Sequence, residues 1–176
     1  TSPTGGMGKT PTLSVQVQRQ TDFVGGAGIV AKHLKAAGAE VSFSTVLGDD
    51  AHGKLAIIDL KKAGIDLCHE IDPTRPTTNK NAVVANGYRL LKVDTVDNRP
   101  ISDATTDCLR ENIISSGAGA VVFSDFRHGI FNARSIPTLT AAIPMGCVCA
   151  ADSQVASRWG NIADFRGFSL ITPNER

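Results

Sequence analysis

Strand-like and helix-like segments alternate along this chain, and that order restricts its fold more than any other feature. Segments with strand character lie at 41–47, 80–85, 88–94, 120–124, 147–151 and 169–171, and segments with helical spacing lie at 25–38, 51–63, 102–115 and 135–142. Alternation of this kind favours a parallel sheet that is joined by right-handed crossovers and covered by helices. We therefore predict an α/β fold with a mostly parallel sheet.

One pair of segments breaks the pattern, because only Asn86 and Gly87 separate the strand-like runs 80–85 and 88–94. Asn-Gly favours a type I′ turn, which needs positive φ at both positions, so the pair predicts an antiparallel hairpin. An earlier run, 13–17, alternates apolar and polar residues as a half-exposed strand does. We predict that lid strands at about 12–18 and 77–94 form a small antiparallel sheet, which covers a ligand or contacts a second subunit.

The composition argues against a nucleic-acid-binding or membrane-spanning chain. Of the 176 residues, 41% are hydrophobic and 20% are charged, and the net charge is +1, so there is no broad basic face. No apolar run in the sequence approaches the length of a membrane span. The four cysteines have no zinc-ligand spacing, so we predict buried thiols in the reducing environment of the cytoplasm.

The stretch GGMGKT at 5–10 looks like the end of a phosphate-binding P-loop, but its spacing excludes that motif. A P-loop that ended in Gly8-Lys9 would need a glycine at the position of Pro3. Proline also lacks the backbone N–H that such a loop donates to phosphate.

A second glycine motif, Gly26-Ala27-Gly28-Ile29-Val30-Ala31, leaves several interpretations open. It fits G-x-G-x-x-A, and Asp49 follows at about the distance at which a dinucleotide fold places its ribose-binding acid. The strand-like run before the motif is polar, however, whereas a parallel strand is usually a continuous apolar run. The glycines could instead permit close helix packing, or open a helix N-terminus that binds a hydroxyl or phosphate group.

Four stretches together resemble the ribokinase-like (PfkB) carbohydrate kinases, and within them the heptose 7-phosphate kinases. They occur in the family's order and cover nearly the whole chain: VGGAGIVAKHLKAAGAEVSFSTVLGDDAHG, RPTTNKNAVVANGYRLLKVD, AVVFSDFRHGI, and ADSQ with DFRGFSLITPNE. The resemblance implies a ribokinase-like sheet with a small antiparallel lid. It also implies a cytoplasmic enzyme that transfers phosphate from ATP, with Mg²⁺, to a hydroxyl of a sugar or sugar phosphate.

The resemblance also implies which residues bind the sugar. The double glycine that approaches the sugar is matched by Gly25 and Gly26, the basic residue on the lid by Lys80, and the strand-end acid by Asp125. Asp125 follows an apolar strand, so ligand binding is favoured over a purely structural role. Lys80 could equally be a solvated hairpin residue.

On the nucleotide side, the family's acid is matched by Asp152. The asparagine of its Asn-x-x-Glu motif, which helps to arrange Mg²⁺ and phosphates, is matched by Asn174. Acidic and amide oxygens suit this chemistry, because phosphoryl transfer depends on positioning and charge neutralisation.

The sequence departs from the family pattern at several positions. Ile29 replaces a sugar-binding asparagine, and His128 replaces a lysine of the heptose kinases. Gln154 replaces the lysine of Asp-Pro-Lys, since Asp152-Ser153-Gln154 stands there. The loss of the two lysines weakens phosphate neutralisation, so we expect a substrate other than heptose phosphate or a weak activity.

The ends of the sequence also differ from the family, which has a strand before the position of Thr1 and a catalytic segment after that of Arg176. No residue here matches the catalytic base, so we expect a single incomplete kinase domain over 1–176 that is inactive by itself. A non-catalytic sugar-binding or dimerisation module is the alternative, and a dinucleotide-binding oxidoreductase is less favoured. A homodimer through the lid strands is expected, because exposed strand edges favour pairing with another copy.

Overall fold

The computed structural model describes residues 2–3, 14–153 and 162–172. Its elements in chain order are β1 (Ser2–Pro3), β2 (Val15–Gln16), α1 (Gly26–Ala36), β3 (Ser42–Leu47), α2 (Ala51–Lys62), β4 (Asp66–Ile71), β5 (Asn79–Ala85), β6 (Tyr88–Thr95), α3 (Asp103–Ser115), β7 (Ala120–Asp125), α4 (Ser135–Ala141), β8 (Val148–Ser153), a 3₁₀ helix (Ile162–Phe165) and β9 (Leu170–Ile171).

Parallel pairing dominates the body of the protein, as the alternation of strands and helices predicts. β3 pairs with β4 from Ser42 opposite Asp66 to Leu47 opposite Ile71. β7 pairs with β8, and β8 with β9, all in parallel. The α/β fold class is thereby confirmed. In the described part of the chain none of the helices is long and apolar enough to cross a membrane.

The sequence pattern did not predict β4, which reads DLCHEI. Its polar and charged residues show neither an apolar run nor a clean alternation, and its residues are only half-buried or exposed. Pairing with β3, rather than a pattern of its own, makes this segment a strand.

Two further expectations need correction. The first alternating run forms only a two-residue strand, β2, which pairs with β1. Within the described residues β2 does not join the hairpin. The cysteines are not buried thiols, since Cys108 is exposed and Cys68, Cys147 and Cys149 are partly exposed.

Two of the helices, α2 and α3, begin at residues whose side chains accept from free backbone N–H groups. The Ser102 hydroxyl accepts from the Thr105 amide at 3.0 Å and starts α3. Asp50 Oδ1 accepts from the Gly53 amide at 2.8 Å and starts α2. Asp50 Oδ2 also accepts from the Thr77 amide at 2.7 Å, so the cap of α2 holds the loop that leads into the hairpin.

The hairpin of β5 and β6 forms as the Asn-Gly pair predicts. Asn86 has φ +50° and Gly87 has φ +81°, which are the left-handed conformations that a type I′ turn requires. The register runs from Asn79 opposite Thr95 to Ala85 opposite Tyr88, with an irregularity between Val83 and Val84.

An aromatic cluster packs beneath the carboxyl end of β7. The ring centroid of Phe123 lies 4.9 Å from that of Phe131, 5.2 Å from that of Phe168 and 6.3 Å from that of Phe165. Phe165 is fully buried. Such rings bury large apolar areas, so they fix the 3₁₀ helix and the loop after β7 against the sheet.

Two arginines connect the two loops at the base of the hairpin, where the chain enters and leaves it. Asp72 accepts from the Thr74 hydroxyl at 2.7 Å and from Arg75 Nε at 2.8 Å. Arg75 Nη2 reaches across to the carbonyls of Arg99 and Pro100, each at 3.3 Å. In return, Arg99 Nη2 donates to the Thr74 carbonyl at 2.7 Å. These bonds hold the two connecting loops together and orient the hairpin.

Asp72 should make the stability of the protein depend on acid. The Thr74 hydroxyl and amide, with Arg75, lower the pKa of Asp72 to about 2 from its ordinary 3.8. Because the folded-state pKa is lowered, this stabilisation is present above pH 4 and is lost as the pH falls towards 2. We expect Asp72→Asn to cost about 1–2 kcal/mol at pH 7 and to flatten the acid dependence of urea unfolding. Asp66→Asn, on exposed β4, is the matched control; equal curves for both variants would contradict this role.

Candidate functional site

A cleft of about 760 Å³ lies between the loop before α1, the hairpin and the carboxyl end of β7. Its walls include Gly25, Gly26, Lys80 and Asp125, the four residues that the sequence predicts for sugar binding. The structure thus brings together residues that are up to a hundred positions apart in the chain. This is the end of a parallel strand at which α/β proteins bind ligands.

The glycines before α1 have separate roles. A Cβ atom on Gly25 would meet no atom within 4 Å, so the backbone there is open to the cleft. Gly26 has φ +52°, and its α-carbon faces the ring of Phe126. A Cβ atom on Gly28 would lie 2.4 Å from a methyl carbon of Val24, so Gly28 permits close packing of α1. Gly28 thus serves helix packing, whereas Gly25 leaves the start of α1 open to the cleft.

The start of α1 carries free backbone donors into the cleft. Gly25 is the N-cap residue, and it makes no side-chain capping bond. The first N–H groups of the helix consequently have no side-chain partner, and the partial positive charge of the helix end favours an anion or a hydroxyl oxygen.

Asp125 ends β7 and is 1% exposed. Its Oδ1 accepts from the Arg127 amide at 2.8 Å, and its Oδ2 accepts from the Ser153 hydroxyl at 2.9 Å. Burial raises the pKa of Asp125, while the Arg127 amide and guanidinium and the Ser153 hydroxyl act in the opposite direction. The side chain lines the cleft as predicted, but other groups of the protein already hold its oxygens.

Arg127 is a site residue that the sequence-based analysis missed. Its side chain is 8% exposed, and its Nε lies 2.8 Å from Asp125 Oδ2 as an ion pair without hydrogen-bond geometry. Its Nη2 donates to the Ser153 hydroxyl at 3.0 Å. The stretch SDFRHG contains the arginine, but nothing in the sequence indicates that its side chain turns inward.

Lys80 projects from the hairpin towards the loop after β7. Its Nζ lies 5.8 Å from the centroid of the Phe126 ring, a cation–π contact. Its cross-strand neighbour Asp94 pairs instead with Lys92 at 2.8 Å. Among the described residues no carboxylate lies within ion-pair distance of Lys80, so its charge is available to an anionic ligand.

His128 lies beside Lys80 but does not add a second cation to the cleft. Its Nδ1 donates to Asn98 Oδ1 at 3.0 Å, and its Nε2 is buried without a hydrogen-bond partner among the described residues. Burial, followed by the charge of Lys80, lowers the pKa of His128 from 6.5. The neutral ring therefore dominates at pH 7, and it does not replace the charge of a lysine.

Two more cleft residues, His52 and Asn79, were not predicted. Asn79 Nδ2 donates to His52 Nε2 at 3.1 Å, which joins the first residue of β5 to α2. Sequence spacing could not have found this pair, because 27 positions separate them and only the tertiary fold brings them together.

The predicted nucleotide-side residues lie elsewhere. Asp152 is exposed on β8, and its Oδ1 accepts from the Thr172 hydroxyl at 3.1 Å. It is not among the residues that line the cleft. Asn174 and Gln154 fall outside the described residues. Ile29 is 38% exposed on α1, one turn beyond the open glycines.

The dinucleotide alternative finds little support in the geometry. No strand is assigned to residues 17–25, which precede α1. The carboxylate of Asp49 is 65% exposed and lies 3.7 Å from Lys54 Nζ, as expected of a surface ion pair. In the described part of the chain, no cluster of three or more histidine, cysteine or carboxylate side chains could hold a metal ion.

Substitution of the glycines should separate ligand access from packing. We expect Gly25→Ala to leave the free energy of unfolding within about 1 kcal/mol, because its φ of −115° suits alanine and the added methyl group meets open space. We expect Gly28→Ala to cost about 1–3 kcal/mol through overpacking against Val24. Urea unfolding of both variants measures this difference. Equal destabilisation by the two substitutions would refute the assignment of an open and a packed glycine.

Comparison with known proteins agrees with this geometry. Residues 4–139 match the family described as "pfkB family carbohydrate kinase". The curated relatives include bifunctional protein HldE of Bradyrhizobium diazoefficiens, 34% identical over 96% of this chain and 34% of the relative. HldE of Caulobacter vibrioides is 30% identical over 96% of this chain and 34% of the relative. The chain thus spans about a third of the length of these relatives.

Solved structures show the same fold at lower identity. Ribokinase from Giardia lamblia superposes with a TM-score of 0.64 and 14% identity, over 85% of this chain and 46% of the other. Phosphofructokinase-2 from Escherichia coli, in complex with fructose-6-phosphate, gives a TM-score of 0.58 and 19% identity over 86% of this chain and 50% of the other. With the family match over most of its length, the chain belongs to the pfkB family of carbohydrate kinases.

Proposed function

We propose that the full-length product transfers the γ-phosphoryl group of ATP to a hydroxyl of a sugar or sugar phosphate. The observation that carries this proposal is the convergence of Gly25, Gly26, Lys80 and Asp125 on one cleft. Open backbone N–H groups, a carboxylate and a cation are the groups that bind sugar hydroxyls and phosphate oxygens.

The charges of the cleft favour a sugar phosphate as the substrate. Lys80 is a cation without a carboxylate partner among the described residues, and the positive end of α1 faces the same cleft. The complex of phosphofructokinase-2 with fructose-6-phosphate and the similarity to HldE support this class of substrate. We include a heptose phosphate among the candidates.

Membership of the family implies ATP and Mg²⁺, and we propose that they bind on the side of the sheet that carries Asp152. Asp152 is exposed at the carboxyl end of β8, and it contacts the start of the segment that leads to Asn174. Asn174 remains the predicted ligand for Mg²⁺. The described residues contain no cluster of carboxylates that could hold the ion.

An ADP-release assay on the full-length protein tests the proposed activity. The acceptor panel comprises fructose 6-phosphate, ribose, sedoheptulose 7-phosphate and D-glycero-D-manno-heptose 7-phosphate. We expect release above background with at least one sugar, and a fall of about 10²-fold or more in kcat/KM for Asp125→Asn, because the variant keeps the shape of the carboxylate but not its charge. Arg134→Ala, which removes an exposed ion pair with Asp103, is the control.

The alternative is a non-catalytic module, which would bind a sugar phosphate but release no ADP in this assay. It draws support from Asp125, whose oxygens are already held by Arg127 and Ser153. Binding of a sugar phosphate by calorimetry, without ADP release, would replace the kinase proposal with this one.

We also propose that the hairpin pairs with a second copy of the chain. Tyr88, Leu91 and Val93 are 78%, 56% and 50% exposed. The register places these side chains on one face, the face opposite that of Lys80. An exposed apolar strand face of this kind favours association.

Leu91→Asp should weaken this association, because it places a charge in the apolar face. We expect the dissociation constant of the dimer to rise about tenfold or more in sedimentation equilibrium. Met145→Asp, at a residue that is fully exposed outside the hairpin, should leave it unchanged. A wild-type protein that sediments as a monomer at all concentrations would refute the proposed dimer.

A further inference from the structure

We propose that Arg127 is a positioning residue, which holds the buried carboxylate of Asp125 in its orientation and anchors it to the 3₁₀ helix before β9. This inference rests on the proposed function only for its consequence for sugar binding. Neither the family nor the sequence pattern assigned a role to this arginine.

The backbone of Arg127 is the first part of the arrangement. Its φ is +58°, a left-handed conformation that arginine rarely adopts. This conformation turns the Arg127 amide back onto Asp125 Oδ1 at 2.8 Å. An unfavourable backbone conformation persists only where surrounding contacts maintain it, and here the contacts of the guanidinium add to that of the Arg127 amide with Asp125.

The guanidinium of Arg127 completes a closed set of contacts around the carboxylate. Its Nε lies 2.8 Å from Asp125 Oδ2, and its Nη2 donates to Ser153 Oγ at 3.0 Å. Ser153 in turn donates to Asp125 Oδ2 at 2.9 Å. Asp125 and Ser153 are direct partners across β7 and β8, so the strand register itself places the hydroxyl within reach.

The same guanidinium reaches the 3₁₀ helix. Its central carbon lies 5.9 Å from the centroid of the Phe165 ring, and its Nη1 lies 4.0 Å from Asp164 Oδ2. Phe165 is fully buried in the aromatic cluster and cannot shift without disturbing it. Arg127 therefore links the carboxylate at the end of β7 to the segment that precedes β9.

The guanidinium favours the charged form of a buried carboxylate. Burial alone disfavours the charged form of Asp125, and an adjacent guanidinium offsets that penalty. The other titratable groups that face this pair are His128, which is largely neutral, and Asp164 beyond the guanidinium. Lys80 and Asp94 act on His128 from the hairpin. A sugar hydroxyl that bonds to Asp125 would thus meet a carboxyl group that is held in one orientation.

Titration of the Asp125 carboxyl group by ¹³C NMR, in the full-length protein, tests the inference without any ligand. The variants are Arg127→Gly, which suits the left-handed backbone but lacks the guanidinium, and Arg127→Lys, which keeps a charge. We expect Arg127→Gly to raise the titration midpoint by about one to three pH units and Arg127→Lys to raise it less. Arg134→Ala should not move it. An unchanged midpoint in Arg127→Gly would overturn the inference.

Turnover supplies the second readout. With the sugar of the acceptor panel that gives the most ADP, the acid limb of the kcat/KM profile should move upward with the Asp125 midpoint in Arg127→Gly. A uniform loss at every pH, with no shift of the limb, would mean that Arg127 only supports the fold and would overturn its positioning role. If no sugar gives turnover in the wild type, the proposed function fails, and the carboxyl titration alone decides on Arg127.

Discussion

The parallel pairing of β7 with β8 is the interaction on which the candidate site depends. Its register sets Asp125 opposite Ser153 and Ser124 opposite Asp152. Because side chains alternate along a strand, Asp125 and Ser153 share one face of the sheet while Asp152 lies on the other. The aromatic cluster around Phe123 holds this end of the ladder and the loop that follows it. A shift of one residue would exchange the faces and separate the carboxylate from its hydroxyl donor.

The hairpin brings Lys80 to this fixed strand end, and its own placement comes from polar contacts at its base. Asp50 holds the incoming loop at the start of α2, while Arg75 and Arg99 join that loop to the outgoing one. Asp125, on one side of the cleft, is buried at the end of a paired strand, whereas Lys80, on the other side, is carried by a largely exposed two-stranded hairpin.

The charges in this cleft differ from those that the predicted site residues alone would give. Asp125 is buried and paired with Arg127, and His128 is neutral, so the cation without a partner among the described residues of this region is Lys80. His128 therefore does not replace the positive charge of the two lysines that the heptose kinases have. Arg127, to which the sequence pattern assigned no role, places a second permanent positive charge beside Asp125 in the cleft.

The sequence by itself determined the local elements and the family. Helical spacing predicted α2 and α3, and Asn86-Gly87 predicted the hairpin, because each depends on contacts within a few residues. The resemblance assigned Gly25, Gly26, Lys80 and Asp125 to one sugar site, and the fold brings these four residues to one cleft. Only the tertiary structure decided that β4 is a strand, that Gly28 serves packing, and that Arg127 turns inward onto Asp125. Those outcomes depend on partners distant in the chain or on the direction of a side chain, which no local pattern of residues encodes.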